Sequence, residues 1–76
     1  MLRHEIETNA LSNSADDRAK LKTICDAVSD DNPDLLFQLC DDPWHIKVIA
    51  RCNGYALRDL VYRLDLKGFL GVTECR

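Results

Sequence analysis

The chain has 76 residues, of which 46% are hydrophobic and 30% are charged. This length accommodates one hydrophobic core, so we expect a single domain spanning residues 1–76. The composition is typical of a globular chain, and no apolar run approaches the roughly 20 residues of a membrane span. Because acidic residues occupy the start of the chain, where a signal peptide needs an apolar stretch, we expect a cytoplasmic protein.

The charge is unevenly distributed along the chain. Residues 1–43 contain four basic and ten acidic residues, a net charge of −6, whereas residues 44–76 contain six basic and three acidic residues, a net charge of +3. Such asymmetry indicates either a surface for nucleic acid or an acidic partner, or two halves that pair with each other in the fold. The sequence leaves both interpretations open.

The first two elements are a strand and a helix. Leu2, His4, Ile6 and Thr8 alternate with polar residues, which predicts a strand followed by a polar loop at residues 9–13. A helix over about residues 15–29 follows, with Ser14 as its N-cap and Asp17 in a capping box. Its apolar stripe consists of Leu21, Ile24, Cys25 and Val28. The sequence Asn32-Pro33 stops this helix.

A hairpin is predicted next, from about residues 35–40 and 44–52. In the second of these strands one face carries Trp44, Ile46, Val48, Ala50 and Cys52, and the other carries His45, Lys47, Ile49 and Arg51. Asn53-Gly54 then interrupts the strand pattern.

A second helix and a last strand complete the pattern. Leu57, Leu60, Val61 and Leu64 recur at helical spacing, which predicts a helix over about residues 55–66 with Gly68 as its stop. Residues 69–75 are apolar and partly β-branched, and we expect a final strand there.

The element order β-α-β-β-α-β predicts an α+β fold, the ferredoxin-like sandwich. Right-handed crossovers place both helices on one face of a four-stranded antiparallel sheet and make the first and third strands neighbours. The alternative is an all-α fold with a helix-turn-helix or helical-repeat layout, which requires residues 44–52 to be helical. In that case residues 56–66 form a recognition helix.

A set of spaced residues supports the sandwich. Asp17-Arg18, Leu21, Asp30, Pro33, Leu35, Gly54, Leu57 and Leu64 stand in an order that resembles the third domain of elongation-factor-type translational GTPases. The resemblance covers residues 6–73 and implies a βαββαβ module. It requires a two-residue shift before Gly54, and the Gly-x-Gly-Glu-Leu-like run of those domains is replaced here by residues 53–57.

The cysteines, histidines and paired acidic residues predict neither catalysis nor a bound metal or cofactor. The four cysteines lack C-x-x-C spacing, so we expect buried free thiols rather than a zinc site or disulfides. Neither His4 nor His45 stands in a nucleophile motif, and a surface ion pair with the adjacent Asp41-Asp42 accounts for His45. The paired acids lack calcium-loop spacing. We therefore expect the protein not to be an enzyme.

The predicted binding site is the sheet face opposite the helices, with His45, Lys47, Ile49 and Arg51 as its partner-binding residues. We expect a small regulatory module that contacts a protein partner, as a homodimer or part of a larger assembly. The alternative is a nucleic-acid or ribosome-associated module that uses the basic half, although only Phe37 could supply an outward aromatic residue. A purely structural interpretation pairs Lys47 and Arg51 with Glu5 and Glu7. The opposite pleat, with Trp44, Ile46 and Val48 outward, would instead expose an apolar patch.

Overall fold

The computed structural model describes residues 2–70 of the chain. Its elements are β1 (Leu2–Leu11), α1 (Ala15–Asp31), β2 (Leu36–Asp42), β3 (His45–Cys52) and α2 (Gly54–Leu66). β3 lies between β1 and β2 and pairs antiparallel with both. The predicted α+β class and the pairing of the first with the third strand are confirmed. The all-α alternative is wrong, because residues 45–52 are hydrogen-bonded into a sheet on both sides.

The predicted fourth strand falls largely outside the part of the chain that the structure describes. Of residues 69–75, Phe69 and Leu70 lie in a turn and the others are not described. The backbone N–H of Asn9 donates to the carbonyl oxygen of Phe69 at 2.9 Å, so this turn is attached to β1. The sheet of the described range has three strands.

β1 is longer than the alternation of its first residues predicts. The expected loop at residues 9–13 is wrong for its first part, since β1 continues to Leu11 with a register shift after Glu7. Burial explains the extension, because Ala10 is fully buried and the hydroxyl of Thr8 donates to the carbonyl oxygen of Ile46 at 2.7 Å. The bulge allows both residues to reach the core despite the irregular pairing.

α1 begins at the predicted position, but only one of the two hydrogen bonds of the expected capping box is formed. Ser14 Oγ accepts a hydrogen bond from the backbone N–H of Asp17 at 3.2 Å. The Asp17 carboxylate does not return this bond to Ser14 and instead accepts from the backbone N–H of Leu11 at 3.0 Å. The start of α1 is thereby tied to the end of β1. The helix ends at Asp31, two residues later than predicted, and Asn32 caps it through the carbonyl oxygen of Val28.

The hairpin is tighter than predicted. Asp42 lies directly opposite His45, so Pro43 and Trp44 form the turn between β2 and β3. The prediction that Trp44 lies in the strand and faces the helices is wrong, because a turn residue leaves the pleated surface and its side chain is 76% exposed.

The core lies between one face of the sheet and the two helices. β3 contributes Ile46, Val48, Ala50 and Cys52, all buried as predicted, and α1 contributes its whole predicted stripe. α2 buries Ala56, Leu60 and Leu64, whereas Val61, predicted to be buried, is exposed on the side of the helix. Neither helix of the described range has the length and apolar character needed to cross a bilayer.

Candidate protein-interaction face

The side of the sheet turned away from both helices is called here the open face. Strand periodicity puts alternate residues of β3 there, and the four predicted residues His45, Lys47, Ile49 and Arg51 all lie on it. The register adds their neighbours on the two outer strands, Arg3, Glu5, Glu7, Leu11, Leu36, Gln38, Cys40 and Asp42. The opposite pleat is wrong, since Ile46 and Val48 are fully buried beneath the helices.

Lys47 is held by two carboxylates of the open face. Its Nζ lies 3.2 Å from Glu5 Oε1 and 3.2 Å from Asp42 Oδ2. The pairing with Glu5 is the one predicted, and Asp42 is an additional partner. These hydrogen bonds, that with Glu5 first, raise the pKa of Lys47 above its ordinary value. Most of the charge of Lys47 is therefore balanced within its own chain.

Arg51, unlike Lys47, has no carboxylate partner within residues 2–70. It lies directly opposite Arg3 on β1, and Arg3 is ion-paired with Glu5. Within residues 2–70 neither Arg51 nor Glu7 forms an ion pair, so the predicted pairing of Arg51 with Glu5 or Glu7 is absent. A cation and an anion of the open face thus remain available to a partner.

Ile49 occupies the middle of the open face. It is half-buried between Glu5 and Gln38, its register partners on the two outer strands. Beside it a shallow concavity of about 330 Å³ is lined by Arg3, Leu36, Phe37, Gln38, Ile49 and Arg51. The suggestion that Phe37 points outward is wrong, since its side chain packs against the core from the helix side. The open face of the described strands therefore presents no Phe, Tyr or Trp ring, and its one aromatic side chain is the imidazole of His45.

His45 lies at the hairpin end of the open face. Its register partners are Leu11 and Asp42, and its side chain is exposed. Within the described range it forms no ion pair, and the carboxylates predicted to pair with it are bound elsewhere. Asp41 contacts Arg18, and Asp42 contacts Lys47.

The cysteines are free thiols wherever the structure describes them. Cys25 and Cys52 are buried as predicted, Cys40 is only half-buried on the open face, and Cys75 lies outside the described residues. Burial, with a smaller contribution from Asp26, raises the pKa of Cys25 to about 12, and burial raises that of Cys52 as well. Across residues 2–70, no three His, Cys, Asp or Glu side chains converge as metal ligands would.

Two residues of the open face, Arg3 and Leu36, are not among those that the sequence predicts. Arg3 joins this face through the register of β1, and Leu36, 63% exposed, joins it through β2. For Leu36 the sequence holds one signal. Gln38 is polar within an apolar run, and period-two alternation places Leu36 on the same side as Gln38.

Comparisons with known proteins identify no relative, so the function is inferred from the open face. No family model matches the chain, and no curated protein or solved structure is significantly similar to it.

Proposed function

We propose that this protein is a non-enzymatic binding module that acts by protein–protein contact through its open face, as a homodimer or as part of a larger assembly. The observation that carries the proposal is the position of Ile49 at the centre of an exposed three-stranded surface, next to Arg51, which forms no ion pair within residues 2–70. Protein interfaces typically combine an apolar centre with a polar rim, and arginine is enriched among the residues that dominate their affinity.

The chemistry of the thiols supports a non-enzymatic role. A nucleophilic cysteine needs a lowered pKa, because the thiolate is the reactive form. Burial shifts the pKa of Cys25 and Cys52 in the opposite direction. The proposal therefore involves no cofactor, metal or catalytic residue. Free thiols are also typical of a reducing compartment, which supports a cytoplasmic location.

The ferredoxin-like architecture is part of this proposal. A fourth strand at residues 69–75 would lie beside β1, and the hydrogen bond from Asn9 to Phe69 supports that position because it is formed on the edge of β1 away from β3. A right-handed crossover through α2 leads to the same edge. A relationship to the third domain of translational GTPases is also proposed, on the basis of the spaced residues from Asp17 to Leu64.

The nucleic-acid alternative has weaker support. Sheet-mediated readers of single strands typically stack two or three bases on aromatic residues, and the open face of the described strands carries only His45 at its hairpin end. If the alternative were correct, binding would weaken steeply with salt, and combining Lys47→Ala with Arg51→Ala would flatten that dependence.

Site-specific photo-crosslinking tests the proposal. A benzophenone amino acid replaces Ile49 on the open face or, as the control, Arg58 on the exposed surface of α2. Both variants are irradiated in the cells that express the chain. We expect a protein adduct of defined mass at position 49 and none at position 58, because only the open face contacts the partner.

Digestion of the adduct identifies the class of partner. Persistence of the full mass of the adduct under nuclease supports protein contact. A nuclease-sensitive adduct favours the nucleic-acid alternative and overturns the proposal. Equal labelling at positions 49 and 58, or none at either, also contradicts it. In the protein case, Ile49→Asp should abolish association of the otherwise unmodified chain, because it places a carboxylate at the apolar centre.

A further inference from the structure

β2 forms one edge of the sheet, and its outer side is not paired with any strand of residues 2–70. An edge strand presents unpaired N–H and C=O groups that can accept another strand, and native proteins usually protect such edges. The common protective features are lysine or proline within the strand, a bulge, or a covering element. β2 has neither lysine nor proline, and its register with β3 runs without a shift from Leu36 to Asp42. Charged side chains, another protective feature, stand only at its end, at Asp41 and Asp42, so residues 36–40 are unprotected.

The other edge of the sheet differs in both respects. β1 contains a bulge between Glu7 and Leu11, and the N–H of Asn9 on this edge is already bonded to Phe69. Protection at β1 and its absence at β2 mark the edge of β2 as the place where a further strand can add.

The side chains of β2 complement a second copy of the same strand. In an antiparallel pair, opposite residues share a face, so a two-fold axis at Gln38 places Leu36 opposite Cys40 of the other copy. The same register places Phe37 opposite Leu39 on the core side. Leu36 is exposed and the other three residues are only partly buried, so each of them gains an apolar neighbour.

The acidic end of β2 does not prevent this pairing. Asp41 and Asp42 lie beyond the five residues that pair, and each is bound within its own chain. Asp41 contacts Arg18, and Asp42 Oδ2 lies 3.2 Å from Lys47 Nζ. In the antiparallel register Asp41 of one copy lies beside Leu35 of the other and Asp42 lies beside Asp34, and the contact of Asp42 with Lys47 reduces the repulsion between these two carboxylates.

We propose that two copies of the chain join by antiparallel pairing of their β2 edges about Gln38, forming one continuous sheet across the dimer. The pairing uses the edge of the sheet, so the open faces of both copies stay accessible on the same assembly. This inference does not depend on the open face binding a partner. Five residues on each side form a small interface, so we expect a weak, concentration-dependent dimer.

Disulfide formation tests the proposed register between the two β2 strands directly. Leu36→Cys is combined with Cys75→Ser, and the chain is oxidised with oxidised glutathione at high concentration. We expect a covalent dimer in which peptide mapping finds the introduced thiol at position 36 of each copy bonded to Cys40 of the other. The bond cannot form within one chain, because four strand residues separate positions 36 and 40 by about 13 Å, whereas bridged cysteines lie within about 7 Å.

The matched control places the new thiol one strand away from the edge. The control chain combines Arg51→Cys with Cys75→Ser. Position 51 is exposed and lies directly opposite Leu36, but on the central strand. We expect this control to give no bond to Cys40. Efficient bonding of the thiol introduced at position 51 to Cys40 of another copy would indicate face-to-face association and would overturn the edge pairing.

Sedimentation equilibrium of chains without introduced thiols completes the test. We expect the mass of the wild type to rise from 8.7 kDa toward twice that value with concentration. Leu36→Lys should hold the chain at the monomer mass, and Leu66→Lys, equally exposed on α2, should not. A wild type that stays monomeric at every concentration overturns the inference. Because Leu36 also lies on the open face, the disulfide pattern separates the two contacts. A bond from position 36 to Cys40, with none from position 51, indicates pairing at the edge and not contact through the face.

Discussion

The charge network around Lys47 shows how single residues couple the sheet to pH. Glu5 Oε1 lies 3.2 Å from Lys47 Nζ, and Arg3 also contacts the Glu5 carboxylate. These two cations, Lys47 first, hold the pKa of Glu5 below its ordinary 4.5. A carboxylate whose pKa is lower in the folded state stabilises that state at pH values above the unfolded pKa. This contribution disappears as the pH falls through the folded pKa.

We therefore predict that Glu5→Gln lowers the free energy of unfolding at pH 7 and that the deficit shrinks as the pH falls below 4.5. Urea unfolding of both proteins between neutral and strongly acidic pH measures the difference. Asp65→Asn is the control for the loss of one carboxylate, because Asp65 has no ion pair within residues 2–70. A deficit for Glu5→Gln that persists unchanged at low pH would contradict the assignment.

At the scale of elements, the end of α2 depends on the backbone conformation of Gly68. This residue has φ of 81°, its N–H donates to the carbonyl oxygen of Asp65 at 3.0 Å, and the N–H of Phe69 donates to that of Leu64 at 3.0 Å. The two bonds form a Schellman motif, in which the buried Phe69 and Leu64 supply the usual apolar contact. The motif turns the chain from α2 back toward β1.

Two glycine substitutions should shift stability in opposite directions. Gly68→Ala places a Cβ in the left-handed region, and we expect a loss of about 1–2 kcal/mol. Gly54→Ala lies in the first turn of α2, where an added Cβ meets nothing within 4 Å, and we expect a gain of about 0.4–1 kcal/mol. Thermal unfolding followed by circular dichroism measures both. A Gly68→Ala variant as stable as the wild type would rule out the proposed role of the motif.

At the scale of the whole molecule, a single core joins both helices to one sheet face. A domain of this size has a total stability of roughly 4–11 kcal/mol. Leu60 is fully buried between α2 and the sheet, so we expect Leu60→Ala to remove about 2–5 kcal/mol of it. Leu66→Ala on the same helix is the matched control, because Leu66 is 65% exposed and a surface substitution changes stability by about 0.5 kcal/mol or less. Comparable losses for the two variants in urea unfolding would contradict the orientation of α2.

The sequence by itself determined the features that local periodicity encodes. The alternation of β3 assigned Ile46 and Val48 to the core and Ile49 and Arg51 to the open face, and the structure agrees. Helical spacing located α1 and α2, and crossover handedness made β1 the neighbour of β3. These features are predictable because side-chain direction follows from the residue's own backbone conformation and because connections obey general chirality rules.

Only the tertiary structure decided which side chains meet between neighbouring helices and strands. Asp17 binds the end of β1 rather than completing its own cap, Lys47 gains Asp42 as a second partner, and Arg51 forms no ion pair with any residue from 2 to 70. Trp44 leaves the sheet because the hairpin closes one residue later than the pattern suggests. Each outcome depends on strand register or on how a helix is placed against a strand, which no local pattern specifies.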